Sequence, residues 1–203
     1  MSASGGGGAP AGIEAVAVGV SAGALEALRV LLRPLPADFH PAMLIVTHNS
    51  SDGPHLLPGL LARECRLPVL EAEEREPVRP GHVYIAPPNY HLLVERERTF
   101  SLSVDERVCN VRPSVDVLFQ SAADAYRRQL VGVVLTGANG DGARGLKAIR
   151  DAGGRTLAQD PETAYAPTMP LRAIEAGAVE RVLPLDRLAV DLLALCASNG
   201  EAP

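Results

Sequence analysis

Residues 13–32 read IEAVAVGVSAGALEALRVLL, and the fold is decided there. Residues 13–20 form an almost unbroken apolar run rich in valine, the pattern of a strand covered on both faces, as in a parallel sheet. Residues 24–32 then place Leu25, Leu28 and Leu32 on one helical face, with a stop near Pro34. A buried strand, a turn of small residues and an amphipathic helix make one βα unit, the building block of a doubly wound sheet.

Outward from this unit the pattern repeats. Residues 42–47 (AMLIVT) predict a second strand and 54–65 a second helix. Residues 68–104 are mixed, with short runs at 82–86 and 91–94 broken by Pro87-Pro88-Asn89, and suggest a β-hairpin excursion. Helix returns over 114–128, where Val115, Leu118, Ala122 and Tyr126 are in phase. A third strong strand follows at 130–136, and a helix at 143–151 closes on Gly153-Gly154. Segments 156–158 and 178–183 and a helix at 185–195 complete the pattern. The expected architecture is one α/β domain over 13–197, a mostly parallel Rossmann-like sheet with helices on both faces. A Gly/Ala-rich tail (1–12) and a short C-terminal tail (198–203) flank it.

Composition narrows the function. The 203 residues are 47% hydrophobic and 21% charged, an ordinary globular balance that needs no staple. Net charge is −5 and aromatics are 3%, which argues against nucleic acid: phosphates need clustered cations and bases need stacking platforms. No apolar stretch is long enough to span a bilayer, and the N-terminus lacks the pattern of a signal peptide. Cys65, Cys109 and Cys196 are odd in number and widely spaced, as expected of reduced thiols in a cytoplasmic protein.

In an open parallel sheet, sites form beyond the carboxyl ends of the strands. The first strand runs into Gly19-Val20-Ser21-Ala22-Gly23, a GxSxG turn of the kind that presents a nucleophilic hydroxyl between strand and helix. The second ends at His48, a residue able to take a serine proton near neutral pH. The third runs into Thr136-Gly137-Ala138-Asn139-Gly140-Asp141-Gly142, whose Asp141 is suited to orient a histidine. Each has a plainer role as well: an incidental serine in a glycine turn, a strand-ending histidine, an N-cap for the helix at 143–151. The glycines would also suit a phosphate cradle, but neither a Walker A lysine nor GxGxxG spacing is present. The chain order Ser…His…Asp differs from the Ser…Asp…His of α/β-hydrolases, which disfavours an ordinary lipase or esterase.

The runs VAVGVSAGALEAL, LIVTH, HVYIAPPNYHLLV, RPSVDVLFQSAA, VVLTGANGDGARGL, AGGRTLAQDPETA and MPLRAI together resemble the CheB methylesterase domain over about residues 14–195. The resemblance implies a Ser-His-Asp enzyme with no metal and no cofactor. Such an enzyme hydrolyses γ-glutamyl methyl esters on the helical cytoplasmic part of chemoreceptors, with glutamine deamidation as a possible second activity. Carried over by motif, Ser21 is the nucleophile, His48 the base and Asp141 the acid. The backbone N–H of Ala138 then serves as an oxyanion donor, with that of Ala22 as a second candidate. Ser21 Oγ should lie within about 3.5 Å of one ring nitrogen of His48, and Asp141 beside the other.

Four features depart from the family. Ser21-Ala22 replaces the common Ser-Thr, and Thr47-His48-Asn49-Ser50 replaces Gln-His-Met-Pro. Ala138-Asn139-Gly140-Asp141 replaces Met-Gly-Asn-Asp, which moves the glycine by one position. Only a short tail stands where relatives commonly carry a phosphoacceptor receiver domain, so phosphodonors are expected to leave the activity unchanged. Two alternatives stay open: a catalytically weak domain that scaffolds signalling helices, and a phosphate or nucleotide binder. Arg112, within RPSVD, either reaches the site or pairs with an acid such as Asp116, and the structural pairing is the expectation.

Overall fold

The computed structural model describes residues 12–48 and 56–197. The chain runs β1 (Ala15–Val20), α1 (Ala24–Leu32), β2 (Ala42–Thr47), α2 (Leu57–Ala62), β3 (Val69–Glu71), β4 (Val83–Ile85), β5 (His91–Val94) and β6 (Phe100–Ser103). It continues through α3 (Val115–Tyr126), β7 (Leu130–Val134), α4 (Ala143–Asp151), β8 (Arg155–Gln159), α5 (Thr168–Glu175), β9 (Arg181–Leu183) and α6 (Leu185–Ala197). Seven strands form one sheet in the order β3-β4-β2-β1-β7-β8-β9, and every pairing in it is parallel. The excursion is an antiparallel pair, β5 with β6.

From β1 the chain builds one half of the sheet through β2, then returns to the other side of β1 as β7. The strand order therefore reverses at β1, and a crevice opens there beyond the carboxyl ends of β1, β2 and β7. Side chains alternate along these strands between two apolar layers, as the two-residue strand period requires. Val16, Val18, Met43, Ile45, Val131 and Val133 face the α1, α2 and α6 layer. Ala15, Ala17, Leu44, Val46, Leu130 and Val134 face the α3, α4 and α5 layer.

Two glycines set how closely that second layer approaches. A Cβ on Gly19 would lie 2.3 Å from Val115 Cγ1, and one on Gly132 would lie 2.7 Å from Leu146 and Ile149. The first glycine of the GxSxG turn thus lets the start of α3 sit directly on β1, which matters for the site below. The expected glycine stop of α4 is a Schellman ending: Gly153 is left-handed (φ 88°), Gly154 N–H donates to Ile149 O and Gly153 N–H to Arg150 O.

Several boundaries move from expectation. β1 begins at Ala15 and β7 ends at Val134, and the helix expected over 54–65 is Leu57–Ala62, residues 54 and 55 lying outside the described set. The mixed region also supplies β3 and β4 to the main sheet; at three residues each they are too short to show a period. Helix α5 was not expected. Pro167 and Pro170 disguise it, yet both occupy its N-terminal turn, where a missing N–H costs nothing. The strand expected from 178 starts at Arg181, because Ala178 N–H still closes α5 onto Ala173 O. The tails expected over 1–12 and 198–203 lie outside the described residues, apart from Gly12.

Candidate active site

Val20 and Thr47 are the last register partners of β1 and β2, so Ser21 and His48 leave neighbouring strands side by side. Ser21 N–H donates to Thr136 O at 2.9 Å, tying the end of β1 to the loop after β7. Thr136 Oγ1 in turn donates to Ala22 O at 2.8 Å and accepts from Ala166 N–H at 2.8 Å. Gly137 packs into this knot. A Cβ there would lie 1.9 Å from Met169 Sδ and 3.0 Å from Ser21 Cβ. Gly137→Ala should therefore push Met169 or Ser21 aside, costing about 1–3 kcal/mol of stability and much of the hydrolytic rate. A urea midpoint and ester turnover equal to wild type would contradict this packing.

Asp141 is fully buried and holds four donors. Oδ2 accepts from His48 Nε2 at 2.8 Å and from Val115 N–H at 2.6 Å; Oδ1 accepts from Ser114 Oγ at 2.8 Å and Asp116 N–H at 3.0 Å. Burial by itself would raise the carboxyl. The hydrogen bonds from His48, the Asp116 and Val115 N–H groups and Ser114 outweigh it and hold Asp141 below its ordinary value. A carboxylate kept ionised against a histidine is what an orienting acid requires.

The N-cap expected of Asp141 is real but serves the other helix. α4 is capped at Gly142, and Asp141 instead accepts from the first N–H groups of α3. Asp116, in the first turn of α3, reciprocates: its Oδ1 accepts from Gly142 and Gly145 N–H at 3.1 and 2.7 Å. The two helix starts are locked together by exchanged carboxylates, each placed at the positive end of the other's dipole. The Asp116 carboxylate thus already occupies the start of α4 and would repel a phosphate there, which weakens the reading of a phosphate cradle.

Asp116 pairs with Arg144 Nε at 3.0 Å, not with Arg112. Arg112 instead donates to the Val104 and Asp105 carbonyls, because its side chain turns back along the strand exit of β6. Asp116→Ala should cost about 2–4 kcal/mol by leaving those buried N–H groups and Arg144 without their acceptor. Stability close to wild type in a denaturant titration would show that the exchange contributes little.

Ser114 and His91 were not anticipated as parts of this assembly. Ser114 caps α3, donates to Asp141, and its N–H is accepted by His91 Nδ1 at 3.1 Å. His91 Nε2 faces Glu106 O at 3.0 Å, so this buried ring sits as a neutral spacer with its proton on Nε2. The Ser-x-Asp of an N-capped helix was the available signal for Ser114; His91 carried none in the sequence.

His48 meets the expectation on one side only. Nε2 engages Asp141, but Nδ1 faces Asn139 Nδ2 at 3.3 Å, and among the described residues no hydrogen bond joins Ser21 to His48. The amide is held at that place by its own backbone, since Asp141 N–H donates to Asn139 Oδ1 at 3.1 Å. The N–H groups of Ala22 and Ala138 have no acceptor among the described residues and remain available to a ligand. Beside Ser21, a groove of about 500 Å³ runs past Ala24, Leu25, Leu57 and Leu60. Tyr165, 83% exposed, lies on the other flank against Gly23. Cys109, Asp116 and Asp141 have ligand atoms within 4.8 Å of one another. They do not fit a metal, since every carboxylate oxygen already accepts from N–H, O–H or guanidinium. Burial, then Asp141 and Asp116, also push the Cys109 thiol up, away from the thiolate a metal needs.

The model of the CheB methylesterase family matches residues 16–192. The chain belongs to the CheB methylesterase family. This CheB chain is 47% identical over 190 residues to a Leptospira interrogans protein whose name pairs glutamate methylesterase with glutamine glutaminase, covering 93% of the chain and 97% of that protein. It is 46% identical over 176 residues to protein-glutamate methylesterase/protein-glutamine glutaminase 2 of Anaeromyxobacter dehalogenans, covering 87% of the chain and 51% of that relative. The chain thus spans nearly all of the first relative and about half of the second. The crystal structure of the Thermotoga maritima CheB methylesterase catalytic domain superposes with a TM-score of 0.86 at 34% identity, covering 90% of this chain and 98% of that one. The doubly wound CheB fold and its parallel seven-stranded sheet are thereby established for this chain.

Proposed function

We propose that this CheB-family chain hydrolyses γ-glutamyl methyl esters on helical cytoplasmic segments of chemoreceptor-like proteins, with Ser21 as nucleophile, His48 as base and Asp141 as orienting acid. The observation that carries this reading is the 2.8 Å contact of His48 Nε2 with a buried, ionised Asp141, on the strand end beside Ser21. Ser21 Oγ attacks the ester carbonyl carbon while its proton passes to His48 Nδ1. The Ala22 and Ala138 N–H groups face the developing oxyanion, and the proton then leaves with the methoxide as methanol. Water attacks the acyl-enzyme and gives a proton to His48, which passes it to Ser21 Oγ as the acyl bond breaks, freeing the glutamate and restoring the enzyme. The same cycle on a glutamine releases ammonia, in keeping with the second activity named for the relatives.

The groove past Leu25, Leu57 and Leu60 suits the apolar flank of a substrate helix presenting the ester to Ser21. No helix of the described residues is long and apolar enough to cross a membrane. A cytoplasmic location matches that substrate. The scaffold alternative has one observation behind it, the occupation of His48 Nδ1 by Asn139. Methanol release from a methylated receptor cytoplasmic fragment separates the two: catalytic release, with a matching loss of methyl from the receptor peptides, is expected. Binding of the fragment without release would establish the scaffold.

A further inference from the structure

We infer that Asn139 is a positioning residue whose amide engages the base nitrogen of His48 and so withholds its lone pair from Ser21. The inference rests on His48 being the general base. The orientation of the amide is set by its own backbone: Asp141 N–H donates to Asn139 Oδ1 at 3.1 Å in an Asx turn. The NH₂ group is therefore the end that faces His48 Nδ1 at 3.3 Å. A donor there requires Nδ1 to be the bare nitrogen, which places the ring proton on Nε2, pointing at Asp141. This is the tautomer a triad needs, yet the lone pair that must receive the Ser21 proton is already engaged.

Once His48 carries a second proton, Nδ1–H and the amide NH₂ become facing donors. Asn139 must swing out for the catalytic cycle to proceed, and its neighbours allow this, since Ala138 and Gly140 on either side are exposed. The exchanged helix caps keep Asp141 fixed while the 138–140 loop moves.

Two substitutions separate this role from loop integrity. Asn139→Ser can still accept from the Asp141 N–H in an ST turn but is too short to reach the imidazole. Asn139→Asp keeps the same acceptor and presents an acceptor to Nδ1, which keeps that nitrogen protonated. With a small fluorophosphonate probe, labelling of Ser21 mapped by peptide mass spectrometry should speed up about two- to tenfold in Asn139→Ser, the factor that one ordinary neutral hydrogen bond supplies. It should fall at least about tenfold below wild type in Asn139→Asp. kcat for a small ester should follow the same order with KM unchanged. Labelling no faster in Asn139→Ser, or undiminished in Asn139→Asp, overturns the inference.

Imidazole ¹⁵N spectra report the contact whatever the nucleophile. Expected are a proton on Nε2 in wild type and a shifted Nδ1 resonance in Asn139→Ser. A proton on Nδ1 in wild type overturns the inference. Labelling that persists in Ser21→Ala refutes the triad instead, and the spectra still decide the role of Asn139.

Discussion

Ser21→Ala should remove methanol release almost completely, lowering kcat on the order of 10⁴- to 10⁶-fold, as loss of a serine nucleophile does where oxyanion donors remain. The fold should not notice. Ser21 is only half-buried, the Ser21 contact that organises the site is its backbone N–H to Thr136 O, and alanine keeps it. The unfolding free energy should therefore stay within about 0.5 kcal/mol of wild type, the range of an ordinary surface substitution, and the thermal midpoint should barely move. The residual rate would come from the Ala22 and Ala138 N–H groups acting on water-driven hydrolysis. Loss of more than half the activity together with a large drop in midpoint would mean that the hydroxyl is structural, and retention of most activity would remove Ser21 from the mechanism.

Asp141→Ala should damage both stability and catalysis. It strands the Ser114 hydroxyl, the Val115 and Asp116 N–H groups and the His48 Nε2 proton in a buried site. The expected cost is about 3–5 kcal/mol, a large share of a typical domain's total. Activity should fall about 10³- to 10⁴-fold. Asp141→Asn keeps the shape but turns an NH₂ group toward N–H donors, so it loses less stability and nearly as much rate.

The carboxylate also sets an acid limit. Because its folded value is held below the ordinary one, its contribution is complete above the unfolded value of about 3.9 and disappears as pH falls through the lower folded value. Wild-type stability should thus decline below about pH 4 more steeply than that of Asp141→Asn. Glu180, held low by Arg155 on the surface, is common to both proteins and cancels in the comparison. Urea midpoints of the two at neutral and acid pH check this, and parallel profiles would contradict it.

What the residues disclosed and what they hid divide along physical lines. Long buried strands and helices with a full apolar face, such as Ala42–Thr47 and Ala24–Leu32, stood out because period and length agree there. The three strand ends carrying Ser21, His48 and Asp141 were legible for the same reason. Short edge strands such as Val69–Glu71 are selected by pairing rather than pattern, and α5 was masked by two prolines in its first turn. The exchange of caps between Asp116 and Asp141 depends on how two helices meet, so the sequence offered Asp141 as an orienting acid or a cap for 143–151, and Asp116 only as a partner for Arg112. His91 became visible only when β5 was placed behind Ser114.

The most direct test of the serine mechanism is the site of covalent capture. Wild-type protein is treated with a fluorophosphonate, digested, and the modified peptide sequenced by mass spectrometry, with His48→Ala and Asp141→Asn treated alongside. Expected is modification at Ser21 alone, stoichiometric with loss of methylesterase activity, and slowed at least about 10²-fold in both variants. Methanol release that survives full modification of Ser21, or capture at another residue that abolishes it, would contradict the assignment.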